Sequence, residues 1–294
     1  MTMSPPYSHE RRSARAADKG STLKKRKSML KILEQTSRTF YLPIIRLPEG
    51  LQEAVAAAYL CMRAIDEIED HPELDPQQKS TLLQTVSLAL QGQHSVENFN
   101  HEALNEAYSD FMHLLPEVTL RLGEWSILAP IAIAPRIWEA TAAMAERMAL
   151  WARRGWSILS QSDLDRYTFG VAGAVGLLLC DLWGWFEGLQ PERSHAISFG
   201  RGLQAVNILR NRQDDLARGV DFYPPGWSDK EMEIYARERL TASQNYTNTL
   251  PDMYKSFIAI PHALAVATLD ARSEGKLKLS RSAVLQIVSQ FDRA

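Results

Sequence analysis

From residue 29 onward one pattern recurs: long segments whose apolar residues repeat with the 3.6-residue period of a helix, near 77–91, 100–114, 134–155, 163–187, 191–218, 229–248 and 254–272. The apolar run over Leu51–Asp70 belongs with them. Alternating strand patterns joined by hairpin turns are absent. Helix-start signals stand where the period calls for them. Pro48 suits a first helical turn ahead of Leu51. Asp75-Pro76-Gln77-Gln78 reads as an N-cap, a proline at the first helical position and a capping-box glutamine. Ser162-Asp163-Leu164-Asp165 and Ser228-Asp229-Lys230-Glu231 read as capping boxes. Phe222-Tyr223-Pro224-Pro225-Gly226 breaks the pattern. No solenoid repeat occurs, and no composition shift divides the chain after residue 28. The expected fold class is therefore all-α, one helical domain over residues 29–294.

The 294 residues are ample for a large core, and a formal net charge of -2 gives no basic excess of the kind that nucleic acid attracts. No uninterrupted apolar run reaches the roughly 18 residues of a membrane span. The nearest, Val171–Trp185, is interrupted by Gly173, Gly176, Asp181 and Gly184. Only two cysteines occur, Cys61 and Cys180, each in an apolar helical context, which predicts buried free thiols and a reducing, cytoplasmic setting. Residues 1–28 differ from the rest: Arg11, Arg12, Arg15, Lys24, Lys25, Arg26 and Lys27 dominate a segment poor in apolar residues. It reads as a disordered basic tail, with peripheral contact to a membrane surface as the sharper alternative.

Two acidic stripes carry the chemistry. Tyr59, Arg63, Asp66 and Asp70 fall on one helical face, and Gln204, Asn207, Asn211 and Asp215 on another, with Arg218 one turn beyond. The turns before Asp66 are almost wholly apolar, so its carboxylate needs compensation by metal or by Arg63. Facing each other, Asp66, Asp70, Asn211 and Asp215 could hold Mg²⁺ around a diphosphate. Asn211 offers an oxygen without charge and so weakens the second half without abolishing it. Glu67, Glu69, His71 and Glu73 are expected to be solvated or outlying. Gly170, Gly173 and Gly176 admit two readings, close helix packing or a local break that makes room for a ligand. They are no dinucleotide loop, because no strand precedes them.

Six ordered segments carry a family resemblance: Ser37-Arg38-Thr39-Phe40; the helix Tyr59–Asp70; Tyr167 with Val171-Ala172-Gly173 and Val175-Gly176; Gly202-Leu203-Gln204 with Asn207-Ile208-Leu209-Arg210; Phe222-Tyr223-Pro224; and Ile260–Leu269. Over roughly residues 30–285 the chain resembles the squalene/phytoene synthase superfamily, its squalene synthase branch most. The resemblance implies an isoprenoid-synthase-type helical bundle with a central active-site cavity. It also implies a Mg²⁺-dependent prenyltransferase that condenses two prenyl diphosphates, such as farnesyl diphosphate, through a cyclopropyl intermediate. On the matched positions it implies Tyr167, Arg63, Asp66 and Asp70 as catalytic. Ser37, Arg38, Phe40, Tyr59, Arg63, Val171, Ala172, Gln204, Asn207 and Arg218 are the expected substrate contacts.

The chain departs from the family pattern in three places. Asn211 stands where the second motif carries aspartate, and Val220 where an arginine is usual, with Arg218 nearby. No hydrophobic anchor follows the last helical segment. NADPH enters only through the resemblance, and these departures weigh against the reductive half-reaction that would use it. They also keep two alternatives open: single-substrate chemistry, as a prenyl-diphosphate phosphatase or terpene cyclase, and a non-catalytic partner subunit. Phe40, Tyr59, Tyr167 and Phe169 are the expected aromatic faces for a hydrocarbon cation.

Overall fold

The structure, a computed structural model, describes residues 26–276 and 278–291, excepting the side chains of Arg38, Thr39, Asn245, Asn248, Thr249, Met253 and Ser256. The expected tail contact through Arg11, Arg12, Arg15, Lys24 and Lys25 lies outside the described residues, and residues 26–36 form helix α1. The order continues with α2 (Arg38–Ile45), α3 (Leu51–Glu69), α4 (Pro76–Gln91), α5 (His101–Tyr108), α6 (Glu117–Leu120), α7 (Leu122–Ser126) and α8 (Ala134–Arg153). Then come α9 (Gln161–Thr168), a π-helical turn (Phe169–Gly173), α10 (Ala174–Glu187), α11 (Arg193–Ala217), α12 (Asp229–Thr249), α13 (Asp252–Ser273) and α14 (Arg281–Gln290). No strand occurs among the described residues. The all-α expectation holds.

Local chemistry sets the boundaries. Asp75 caps α4 by accepting from the Gln78 N–H at 2.8 Å, while the Gln78 side chain accepts from the Asp75 N–H at 2.9 Å. Ser228 and Glu231 form the expected box at α12. The start of α9 lies earlier than Ser162: Ser160, extended, accepts from the Asp163 N–H at 3.2 Å, so Ser162 is already helical. The segment expected over 100–114 stops at Tyr108 and runs through turns into Pro116, whose ring disfavours helix in the residue before it. The short helices α2, α6, α7 and α14 carry too few turns for a periodic signal.

Helix α3 is the central element. Fourteen of its residues are buried, including Leu51, Val55, Leu60, Ile65 and Ile68, and it packs against α8, α6, α7, α4 and α10. Helix α11 packs against α12, α10 and the π turn. Two glycines make that contact close. A Cβ on Gly176 would collide with the carbonyl oxygen of Ala196, and one on Gly200 with that of Ala172. Close packing is thus the role of Gly176, and Gly173 lies inside the π turn rather than at a break. Helical backbone is continuous over Gln161–Glu187, 27 residues whose most apolar window has a mean hydropathy of 1.6. By length and composition it could cross a membrane, contrary to the expectation that no segment would reach span length, and half of that window is buried in the bundle. Cys61 and Cys180 are buried free thiols, as expected.

Candidate active site

A cavity of about 830 Å³ lies among α2, α3, the π turn, α10, α11 and α13. This is the upper part of the usual small-molecule range, about 300–1,000 Å³. Two helices give it polarity. Along α3 the lining residues pass from Val55 and Ala58 through Tyr59 and Met62 to Arg63 and Asp66. Along α11 they pass from Phe199 and Leu203 through Gln204 and Asn207 to Arg210 and Asn211. Each helix is apolar at its N-terminal end and polar toward its C-terminal end. Val171, Val175, Leu178, Leu179 and Leu182 line it from the π turn and α10, Phe257 and Leu264 from α13.

The C-terminal ends of α3 and α11 meet. Asp70 is the C-cap of α3 and Arg218 that of α11. The Arg218 guanidinium spans the two acidic stripes, 2.5 Å from Asp215 and 3.5 Å from Asp70. Converging C-termini add their negative dipole ends to a place already rich in carboxylates. Burial and the Asp70 charge beside it raise the Asp66 pKa well above the carboxylate range, although Arg63 bonds it at 2.5 Å and opposes the shift. Burial raises Asp215 too, against the pull of Arg218. Arg63 also pairs with Glu67, and its Nε is buried without a hydrogen-bond partner.

The structure brings together most of the expected residues. Ser37, Phe40, Tyr59, Arg63, Asp66, Val171, Ala172, Gln204, Asn207 and Asn211 all line the one cavity. Asp70, Asp215 and Arg218 form the ion-pair cluster just described, outside the lining. Ser37 has a local duty as well: its hydroxyl accepts from the Phe40 N–H at 3.1 Å and caps α2. The Arg38 side chain lies outside the described residues. Tyr167 is buried and stacks on Phe222 at 4.7 Å instead of lining the cavity. Burial, then the charges of Glu69, Asp70, Asp66 and Asp215, hold its phenol neutral.

Three residues lie elsewhere than expected. Glu69 is not solvated: it is 5% exposed, and its carboxylate accepts from Trp156 Nε1 at 2.8 Å. His71 is also buried, its ring Nε2 3.1 Å from the Leu114 carbonyl oxygen. Phe169 does not face the cavity; the Arg147 guanidinium lies 5.3 Å from its ring centre. The aromatic wall is instead Phe40, Tyr59 and Phe257, with Phe40 centred 5.8 Å from Tyr59 and 6.3 Å from Phe257. Phe257, Phe199 and Arg210 were missed as site residues, although Arg210 closes the Asn207–Arg210 motif and so carried a signal. Asn211 accepts from Arg210 Nε at 3.2 Å.

Residues 33–228 match the sequence profile described as squalene/phytoene synthase. The chain belongs to that family. The squalene synthase of Schizosaccharomyces pombe is 27% identical over 82% of this chain and 58% of its own length. That of Rattus norvegicus is 27% identical over 86% and 65%. That of Eremothecium gossypii is 30% identical over 83% and 61%. The chain thus spans about three fifths of the length of these relatives. In fold it is similar to a TcSQS–ligand complex, with a TM-score of 0.68, 22% identity and coverage of 90% of this chain and 85% of the other. A dehydrosqualene synthase with bound ligand gives 0.58 at 17% identity, covering 93% and 97%.

Proposed function

We propose that this chain is a prenyltransferase of the squalene-synthase type, acting on farnesyl diphosphate or a prenyl diphosphate like it. The observation that carries this reading is the cavity's division along both α3 and α11, a charged end for a diphosphate and an apolar end for its hydrocarbon chain. Arg63 and Arg210, with Arg38 as an expected partner, suit phosphate oxygens through the guanidinium fork. The N-terminal end of α2 at Ser37 favours an anion at the same place.

The donor set fits Mg²⁺. Asp66, Asp70, Asp215 and the amide oxygen of Asn211 are hard oxygen donors of the kind Mg²⁺ prefers; burial, then the Asp70 charge, raises the pKa of Asp66. No group of three or more His, Cys, Asp or Glu among the described residues could hold a metal by itself. Magnesium ordinarily relies on one or two carboxylates plus phosphate oxygens and water, so such a cluster is not required. When bound, Mg²⁺ would neutralise charge developing on the departing diphosphate.

The protein's own part follows. The C1–O bond of the allylic substrate breaks and its electron pair leaves with diphosphate, gripped by arginine. The faces of Phe40, Tyr59 and Phe257 stabilise the hydrocarbon cation, and the apolar wall keeps water away. The double bond of a second prenyl chain then supplies the electrons of the new C–C bond, and loss of a proton to the released diphosphate closes the cyclopropane. Neutral Tyr167 suits hydrogen-bond donation near the acidic cluster.

Asn211 and the Arg218 ion pair favour one second reading, ionisation of a single prenyl diphosphate with capture by water or ring closure. Incubation of the purified protein with farnesyl diphosphate and Mg²⁺, with and without NADPH, separates the two. C30 products, presqualene diphosphate or squalene, are expected. Farnesol or a C15 hydrocarbon alone would replace condensation by the second reading. Asp66→Ala should abolish turnover.

A further inference from the structure

We propose that Arg218 is a resident counter-cation that latches the two acidic helix ends together and competes with divalent metal for Asp70 and Asp215. This rests on the reading of the two stripes as a metal site.

Three observations converge on it. First, the guanidinium reaches both helices at once, 2.5 Å from Asp215 and 3.5 Å from Asp70. Second, the α11 half offers the weaker donor set: Asn211 is neutral, and Arg218 cancels Asp215. Asp214, beside it, is exposed. Asn211, Asp215 and Arg218 together therefore carry no net charge, while on α3 Asp66 is paired with Arg63 and Asp70 is reached, among the described residues, only by the longer Arg218 contact. Third, Asp215 is 6% exposed, so its carboxylate depends on a nearby cation, and Arg218 is the only one bonded to it among the described residues.

A cation so placed has two effects. It holds the C-terminal ends of α3 and α11 at a fixed separation before any ligand arrives. It also raises the metal concentration needed to occupy the α11 half, because a divalent ion must displace a bonded guanidinium or sit beside it. Arg218 is 43% exposed in its side chain, so it can swing outward toward phosphate oxygens without crossing the core. The position acts on the site through Asp70 and Asp215 and is a positioning residue in that sense.

The test is direct binding of Mn²⁺, followed by its electron paramagnetic resonance signal without substrate, to the wild type, Arg218→Gln and Asp66→Ala. Arg218→Gln should bind Mn²⁺ about tenfold more tightly than the wild type, and Asp66→Ala should bind it more weakly. If Arg218→Gln does not fold, judged by circular dichroism, Arg218→Met keeps the apolar stem and carries the same expectation. Unchanged Mn²⁺ affinity, with Asp66-dependent binding in the wild type, would overturn the latch and leave the metal site standing. Absence of Asp66-dependent binding in every protein, both without and with inorganic diphosphate, would overturn both. Unchanged Mn²⁺ affinity together with weaker binding of inorganic diphosphate would make Arg218 a phosphate grip only, and the latch would again fall.

Discussion

Glu69 and Trp156 form a pair that neither residue explains alone. Trp156 adopts a left-handed backbone, φ 50°, which side-chain-bearing residues seldom hold without support. Its indole N–H bonds Glu69, and Lys79, itself buried, donates to the Glu69 backbone oxygen at 2.6 Å while lying 5.2 Å from the Trp156 ring centre. The last turn of α3, which carries Asp66 and Asp70, is therefore braced from behind. The brace has a titration consequence. Burial pushes the Glu69 pKa up to about 8, from an ordinary 4.5. Between those values the folded state keeps a proton that the unfolded chain has released, so stability falls as pH rises through the window. Glu69→Gln is neutral throughout and can still accept from Trp156. In metal-free buffer its stability relative to wild type should rise by on the order of 2–3 kcal/mol between pH 5 and pH 8. Parallel urea midpoints at the two pH values would contradict the assignment.

The helices themselves show what can be read from a chain and what cannot. Periodicity and caps located α3, α4, α8, α11, α12 and α13 within a few residues, because Asp75, Gln78, Ser228 and Glu231 act on their own helix ends and need no distant partner. The acidic stripes were legible for the same reason: i and i+4 share a face wherever the helix goes. The burial of Glu69 was not legible, since Trp156 lies 87 positions away and closes over it only in the folded bundle. Nor was the π turn at Phe169–Gly173, where one extra residue per turn shifts the phase of everything before it. That shift accompanies Tyr167 and Phe169 facing away from the cavity lined by Val171 and Val175. Glycine chemistry tests the helix contacts. Gly200→Ala places a methyl against the Ala172 backbone and should cost about 1–3 kcal/mol or more. Gly155→Ala meets nothing within 4 Å and bears only its left-handed strain, about 1 kcal/mol. Thermal midpoints that rank the two the other way would contradict the close approach of α11 to the π turn.

At the scale of the whole molecule, the bundle holds a chamber whose charged and apolar ends are set by the same two helices. Family membership fixes the architecture, and within it Asn211, Arg218 and Trp156 shape the charged end of the cavity and the helix turn behind it. The division of the chamber has a consequence for departure. A substrate bearing a diphosphate has a handle at the charged end; a hydrocarbon product has none. Moving each methylene from the apolar wall into water costs about 0.8 kcal/mol, so if the proposed condensation is this chain's reaction, its C30 product has every reason to linger. Escape, not bond making, would then pace repeated turnover. The expected record is a rapid first turnover followed by a slower steady phase, and added lipid vesicles should quicken only the second. One uniform rate, indifferent to vesicles, would show that the product finds its way out unaided.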